Sequence, residues 1–171
     1  MTLFTVSTGH DITDTAIGQH LQFENNTNLI TGLEPDSYYD MKTDEKGKRG
    51  KALIINNKNF TIPPYKYYDR TGTDIDAKAL EHLFTKLLYE VIVERNKTKN
   101  EIRDILYKHT KGTDHSRYSS FVFIILSHGL EGKVLGTDGE IDIKELANMA
   151  RDTESLIGKP KLYFIQACQG M

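Results

Sequence analysis

The sequence predicts an open, mostly parallel α/β sheet with helices packed on both of its faces. Three observations carry this. Short β-branched runs alternate along the chain with segments of helical apolar period. The most hydrophobic run, Phe121-Val-Phe-Ile-Ile-Leu126, shows no polar alternation, as in a strand covered on both faces in the middle of a parallel sheet. No segment recurs at a fixed period, which excludes a solenoid or propeller.

In chain order, Ala52-Leu-Ile-Ile55 is an apolar run ending at Asn56-Asn57 and reads as a buried strand. Thr73-Asp-Ile-Asp76 matches a capping box, a hydroxyl followed three residues on by a carboxylate. Behind it, Ile75, Ala79, Leu83 and Leu87, with Leu80, Phe84 and Leu88, are expected on the apolar face of a helix running to about Tyr89. Glu90-Val-Ile-Val-Glu94 is short and β-branched, a second strand. Thr98 begins another helix, with Ile102, Ile105 and Leu106 on its apolar side. The Phe121–Leu126 strand follows, then a short helix from Asp142 to Arg151. A last strand, Leu162-Tyr-Phe-Ile165, comes after Gly158-Lys-Pro160.

At 171 residues one domain is the natural count. The 22 basic and 24 acidic side chains leave a formal charge of −2, which argues against a dedicated nucleic-acid or polybasic membrane binder. The charge is uneven. Residues 1–41 hold six carboxylates (Asp11, Asp14, Glu24, Glu34, Asp36, Asp40) and no Lys or Arg, so the remainder carries +4. With isolated apolar residues among Thr, Asn and Asp, residues 1–36 read as a disordered or loosely attached leader. It lacks the features of a secretory signal, and no apolar run approaches the ~20 residues of a membrane span. A soluble, cytoplasmic protein is expected. Lys46-Gly-Lys-Arg-Gly-Lys51 reads as a solvated linker with turn glycines, the alternative being a local basic patch.

The single cysteine, Cys168, excludes an internal disulfide and a Cys-based zinc cluster. Its position matters more than its count. In open α/β sheets functional groups gather beyond the carboxyl ends of the strands. The Phe121–Leu126 strand runs into Ser127-His128-Gly129, and the last strand into Gln166-Ala167-Cys168-Gln169-Gly170. A lone cysteine is most often an inert core residue and a His-Gly pair a simple turn. Two such groups at the ends of core strands allow a catalytic pair instead. A thiol of pKa ~8.5 is little ionised at neutral pH, and an adjacent imidazole can take its proton. The thiolate attacks a carbonyl, the imidazolium protonates the leaving amine, and backbone N–H groups can stabilise the oxyanion.

These residues resemble a known family. Gln166-Ala-Cys-Gln-Gly170 matches the signature pentapeptide of caspases, and Ser127-His-Gly129 matches their histidine motif. Arg70-Thr-Gly-Thr-Asp-Ile-Asp76 resembles a further family segment. Leu53-Ile-Ile-Asn-Asn-Lys-Asn-Phe60, Gly136-Thr-Asp-Gly139 and Gly158-Lys-Pro-Lys161 resemble executioner-type members in order and spacing. The similarity covers about residues 38–170.

The resemblance implies a caspase-like three-layer α/β/α sandwich, incomplete without a small subunit. Residues 1–36 would be a pro-peptide and 37–171 the large-subunit catalytic domain, with the small subunit absent. It implies an aspartate-specific cysteine endopeptidase of apoptosis or proteolytic signalling. His128 is then general base and acid, Cys168 the nucleophile, and the Gly129 and Cys168 amides the oxyanion donors. The backbone carbonyl near Tyr68 would orient His128. Arg70 and Gln166 would bind the substrate aspartate, where a guanidinium fork suits a carboxylate. Leu33-Glu-Pro-Asp36 resembles a processing site cut after Asp36. His10, His20, His82, His109 and His115 match no motif position, and His82 and His109 read as surface or packing residues. The implied partners are a caspase small subunit, in a tetramer of two large and two small subunits, protein substrates and caspase inhibitors. Neither cofactor nor metal is implied. The alternative function is a truncated, non-catalytic product that binds and modulates caspases or their inhibitors.

Overall fold

The computed structural model describes residues 2–7, 39, 41–61 and 69–167, the first of these segments as backbone. Strands β1 (Thr2–Ser7) and β2 (Gly50–Asn56) come first, then helix α1 (Thr73–Lys86), strand β3 (Tyr89–Arg95) and helix α2 (Lys99–His109). Strand β4 (Ser120–Leu126) leads into three short strands, β5 (Gly129–Leu130), β6 (Lys133–Gly136) and β7 (Gly139–Asp142). Helix α3 (Ile143–Arg151), a 3₁₀ turn at Glu154–Leu156 and strand β8 (Lys161–Gln166) follow.

The main sheet has the order β1-β8-β4-β2-β3. Strands β2, β3, β4 and β8 are mutually parallel, and only β1 runs antiparallel. Every residue of β4 is buried, as its unbroken apolar run predicts. Alternate residues of β2 and β4 feed two separate cores. Leu53, Ile55, Phe121, Phe123 and Ile125 pack under α2 and α3 against Ile102, Leu106, Leu146 and Ala150. Ala52, Ile54, Val122, Ile124 and Leu126 pack under α1 against Ala77 and Phe84. The sheet is therefore covered from both sides, as the sequence predicts.

Helix ends follow local chemistry. The Thr98 hydroxyl accepts from the Glu101 amide while the Glu101 carboxylate accepts from the Thr98 amide, a complete capping box for α2. Asp142 caps α3 by accepting from the Lys144 amide at 2.7 Å. The expected box at Thr73 does not form. The N-cap of α1 is Gly72, in the left-handed region at φ 97°, with no side-chain cap. Thr73 is instead the first helical residue, and its hydroxyl is used elsewhere.

The apolar face expected for α1 is also corrected. Thr73, Ala77 and Phe84 are buried and Leu80 packs against them, a single i, i+4, i+7, i+11 stripe. Ile75 is 75% exposed, and Leu83 and Leu87 lie on the surface at 37% and 40%. The helix stops at Lys86, and Tyr89 opens β3, where its hydroxyl bonds the Ser120 hydroxyl at 2.7 Å.

Residues 2–7 differ from the expectation for the leader: they pair with β8 from Thr2↔Gln166 to Ser7↔Lys161 and close that sheet edge. The boundary at residue 36, and Asp36 itself, lie outside the described residues. Gly50 enters the sheet between β3 and β4, where a Cβ would run into the Ser120 carbonyl. In the 46–51 stretch, the Asp44 carboxylate accepts from the Lys46 and Lys48 amides in a turn, as the linker reading expects, but Gly50 and Lys51 already belong to β2 and Lys51 pairs with Glu90 at 2.8 Å.

His115 is fully buried, its Nε2 donating to the His109 carbonyl at 2.9 Å while Nδ1 has no partner. Burial pushes its pKa down, aided by Lys51 and Lys159 and opposed by the His109 carbonyl and Asp114. Half-buried His109 is pushed down by burial and by Lys51 and Lys108, against Glu90 and Glu94. Both are therefore packing groups held neutral. The unfolded chain binds these protons first, so stability falls as pH drops below about 6.5. The carboxylates held low, such as Glu90 and Glu101, lose their contribution only below about pH 4.5. The urea midpoint should thus fall between pH 7.5 and 5.5, and His115→Gln, which can still donate to the His109 carbonyl, should flatten that slope.

Candidate active site

The parallel register aligns Asn56, Leu126 and Gln166 in one row at the carboxyl edge of the sheet. Backbone bonds continue the row outward: Asn57 donates to the Leu126 carbonyl at 2.9 Å and Ser127 to the Gln166 carbonyl at 3.1 Å. The three segments leaving these strands are thus stitched together before they diverge, and this edge holds the predicted site residues His128, Gly129, Arg70 and Gln166.

His128 follows β4 directly and is half-buried. Its backbone is fixed on both sides. The Ser127 hydroxyl donates to the Leu135 carbonyl at 2.6 Å, and the His128 carbonyl accepts from the Leu135 amide at 2.9 Å. The imidazole lies against Phe60, with ring centroids 4.7 Å apart and an interplanar angle of 50°. Phe60 leaves β2 on a loop clamped by Asn96, whose Oδ1 accepts from the Lys58 and Asn59 amides. Asn96 itself sits at φ 51°, a conformation asparagine tolerates better than most residues. Buried Gly129 opens β5 immediately after the histidine.

Arg70 and Gln166, 96 positions apart, meet at this edge. Arg70 Nη2 donates to Gln166 Oε1 at 3.4 Å, while Nη1 donates to the Thr73 hydroxyl at 2.6 Å and the Asn57 carbonyl at 3.3 Å. Beside them Lys58 and Asp74 form an ion pair at 2.9 Å. Its hydrogen bond holds the Asp74 carboxyl below its ordinary range and raises the Lys58 ammonium. On the α1 side, a groove of about 300 Å³ between Ala79, Leu80, Ile124, Leu126 and Phe164 reaches Gln166.

Chain order places Cys168 two residues beyond the end of β8. Cys168 and the Tyr68 carbonyl lie outside the described residues. The structure therefore brings together His128, Gly129, Arg70 and Gln166, and sets the strand from which Cys168 follows beside the one from which His128 follows. Phe60, Asn57, Asn56 and Thr73 were given no role in the site from the sequence. Asn56, Asn57 and Phe60 lie within the family-like segment 53–60, but which of them touch His128 or Arg70 depends on long-range placement.

Among the described residues no helix is long and apolar enough to cross a membrane, and no group of three His, Cys, Asp or Glu side chains could hold a metal ion.

Comparison with known proteins agrees with this geometry. The family model described as the caspase domain matches residues 49–171. Caspase-3 of Mesocricetus auratus is 46% identical over 144 residues, covering 83% of this chain and 50% of the relative. Caspase-3 of Felis catus is 41% identical over 153 residues, covering 86% and 52%. Caspase-3 of Oryctolagus cuniculus is 40% identical over 155 residues, covering 82% and 55%. The chain spans about half the length of these curated relatives. With the family's domain matched from the first core strand to the last residue, and the motif residues gathered at one sheet edge, the chain belongs to the caspase family.

Proposed function

We propose that the chain acts as a cysteine endopeptidase that cleaves proteins after aspartate, in apoptotic or related proteolytic signalling. The observation that carries this reading is the meeting of Arg70 and Gln166 at the edge where His128 stands. A half-buried guanidinium at the sheet edge where His128 stands suits a carboxylate. Among peptide side chains, aspartate is the one that brings a carboxylate closest to the backbone.

In this mechanism His128 takes the Cys168 thiol proton, and the thiolate attacks the carbonyl carbon of the aspartyl residue. The oxyanion is met by the Gly129 and Cys168 amides. As the tetrahedral intermediate collapses, the C–N bond breaks and the imidazolium protonates the leaving amine. A water molecule, deprotonated by His128, then hydrolyses the thioester, releasing the acid and restoring the thiol. Phe60 keeps the imidazole in place against the sheet edge.

The working assembly on this reading is a tetramer with two caspase small subunits, open to caspase inhibitors. Processing after Asp36 would release the strand Thr2–Ser7 and uncover the outer edge of β8.

The test is hydrolysis of a fluorogenic aspartyl peptide by this chain, alone and co-refolded with a caspase small subunit. Turnover that disappears in Cys168→Ala is the expected result. No Cys168-dependent turnover in either format would overturn the endopeptidase reading and favour a non-catalytic modulator of caspases.

A further inference from the structure

Arg70 is held from behind by a directed chain of hydrogen bonds. Asp74 Oδ1 accepts from Asn56 Nδ2 at 2.9 Å, and its Oδ2 accepts from Lys58 Nζ at 2.9 Å. A carboxylate here can only accept, so Asn56 turns its NH₂ group to Asp74 and its carbonyl oxygen toward Thr73. The Thr73 hydroxyl donates its one hydrogen to Asn56 Oδ1 at 2.7 Å, which leaves its lone pairs facing Arg70. Arg70 Nη1 donates into them at 2.6 Å, and also to the Asn57 carbonyl at 3.3 Å. Asn56 and Thr73 are 1% and 3% exposed, so water does not compete for the bond between them, while Asp74 and Lys58 close the chain at the surface. Each bond fixes the direction of the next, and the last fixes one nitrogen of the guanidinium.

We propose that Thr73, oriented by Asn56 and Asp74, is a positioning residue for Arg70: it holds the guanidinium plane with Nη2 toward Gln166, so that an aspartate carboxylate is received in one geometry. The proposal rests on the reading of Arg70 as the substrate-carboxylate residue. It also explains why the hydroxyl of Thr73 does not cap α1: the helix starts on Gly72, and the hydroxyl is taken up by Asn56 and Arg70. The carboxylate keeps its charge throughout the reaction. The pairing is therefore shared by ground state and transition state, and its loss falls on KM more than on kcat.

The decisive variants are Thr73→Val, which keeps the shape and removes the hydroxyl, and Thr73→Ser, which restores it. Both are made in the full chain and assayed co-refolded with a caspase small subunit. Thr73→Val should raise KM for an aspartyl peptide about tenfold to a hundredfold, the range for losing a supporting contact of a site residue. Its kcat, and its rate of Cys168 alkylation by iodoacetamide, should stay within about twofold of wild type, the scale of a change in a peripheral contact. Thr73→Ser should return KM to the wild-type value. A purely structural role would reduce the active fraction at unchanged KM, and that result would overturn the proposal while leaving the endopeptidase reading in place.

A second readout does not depend on turnover. The ¹⁵N NMR signals of the Arg70 Nη1 and Nη2 groups should be resolved in wild type and Thr73→Ser, and merged by rotation in Thr73→Val. If the wild-type chain cleaves no aspartyl peptide, the endopeptidase reading fails and this readout alone decides. Resolved signals in Thr73→Val would overturn the anchoring; merged signals that separate again in Thr73→Ser would support it.

Discussion

Replacing Arg70 by glutamate should lower kcat/KM on an aspartyl peptide by at least about a thousandfold. Breaking a buried, hydrogen-bonded charge pair costs about 2–5 kcal/mol, and tenfold corresponds to about 1.4 kcal/mol. Reversing the sign adds repulsion, because the new carboxylate would meet the substrate carboxylate with nothing left to neutralise either. Arg70→Lys should fall in between, since an ammonium supplies charge without the planar two-donor fork. Both variants should keep a cooperative thermal transition. Arg70 is half-buried at the loop before α1, and the sheet beneath it is held by apolar contacts that do not involve it. The measurement is kcat/KM for matched aspartyl and asparaginyl peptides with a melting curve for each variant. Wild-type preference for aspartate in a folded Arg70→Glu protein would remove Arg70 from the substrate site.

The legible parts of this chain are those whose signal is local. β4 was readable because six consecutive apolar residues can be satisfied only by cover on both faces, and it is buried throughout. The second helix was readable because Thr98 begins it and Ile102, Ile105 and Leu106 share one side, and these pack on the sheet as expected. The first helix shows the limit. Its segment carries two apolar stripes of helical period, and the period alone does not say which one faces the sheet. At its N-terminus Thr73 is tied to Asn56, seventeen residues earlier in sequence. In the same arrangement Ala77, Leu80 and Phe84 face inward, and Ile75 and Leu83 lie outside.

The small sheet of β5, β6 and β7 was illegible for a different reason. Its strands are two to four residues long and include Gly129, Lys133, Gly136, Gly139 and Glu140, so neither alternation nor β-propensity accumulates. β1 was missed because Thr2–Ser7, though rich in β-formers, stands before a polar, acidic stretch, and its pairing lies with residues 161–166 at the other end of the chain. The site divides in the same way. Motif residues such as His128, Arg70 and Gln166 could be named from short segments. Asn56 and Thr73 meet across 17 positions and Phe60 and His128 across 68, and only the fold supplies those contacts.

Phe123→Ala should be the most destabilising single truncation in the sheet, by about 3–5 kcal/mol. Phe123 is fully buried in the centre of β4. The parallel register puts Leu53 on one side of it and Tyr163 on the other, and the Tyr163 ring meets it edge-on with centroids 6.4 Å apart. Above this row lie α2 and α3, through Ile102, Leu106, Leu146 and Ala150 in the same core. Tyr163 cannot swing in to fill the space, because its hydroxyl donates to the Ala147 carbonyl of α3 at 2.9 Å. The cavity would therefore stay largely open, which places the cost toward the upper end of the range. Against a typical stability of about 5–15 kcal/mol, this is about a fifth of the total or more. Urea denaturation should show a lowered midpoint with unchanged slope. Phe123→Leu, which leaves a smaller void, should lose less than half as much. The functional consequence is positional: β4 leads to His128 and β8 toward Cys168, and Phe123 lies in the register that joins these two strands. An alanine protein that stays folded at low temperature should thus lose turnover before it loses its sheet. A midpoint unchanged from wild type would show that the core closes around the gap and that this row does not set the geometry of the edge.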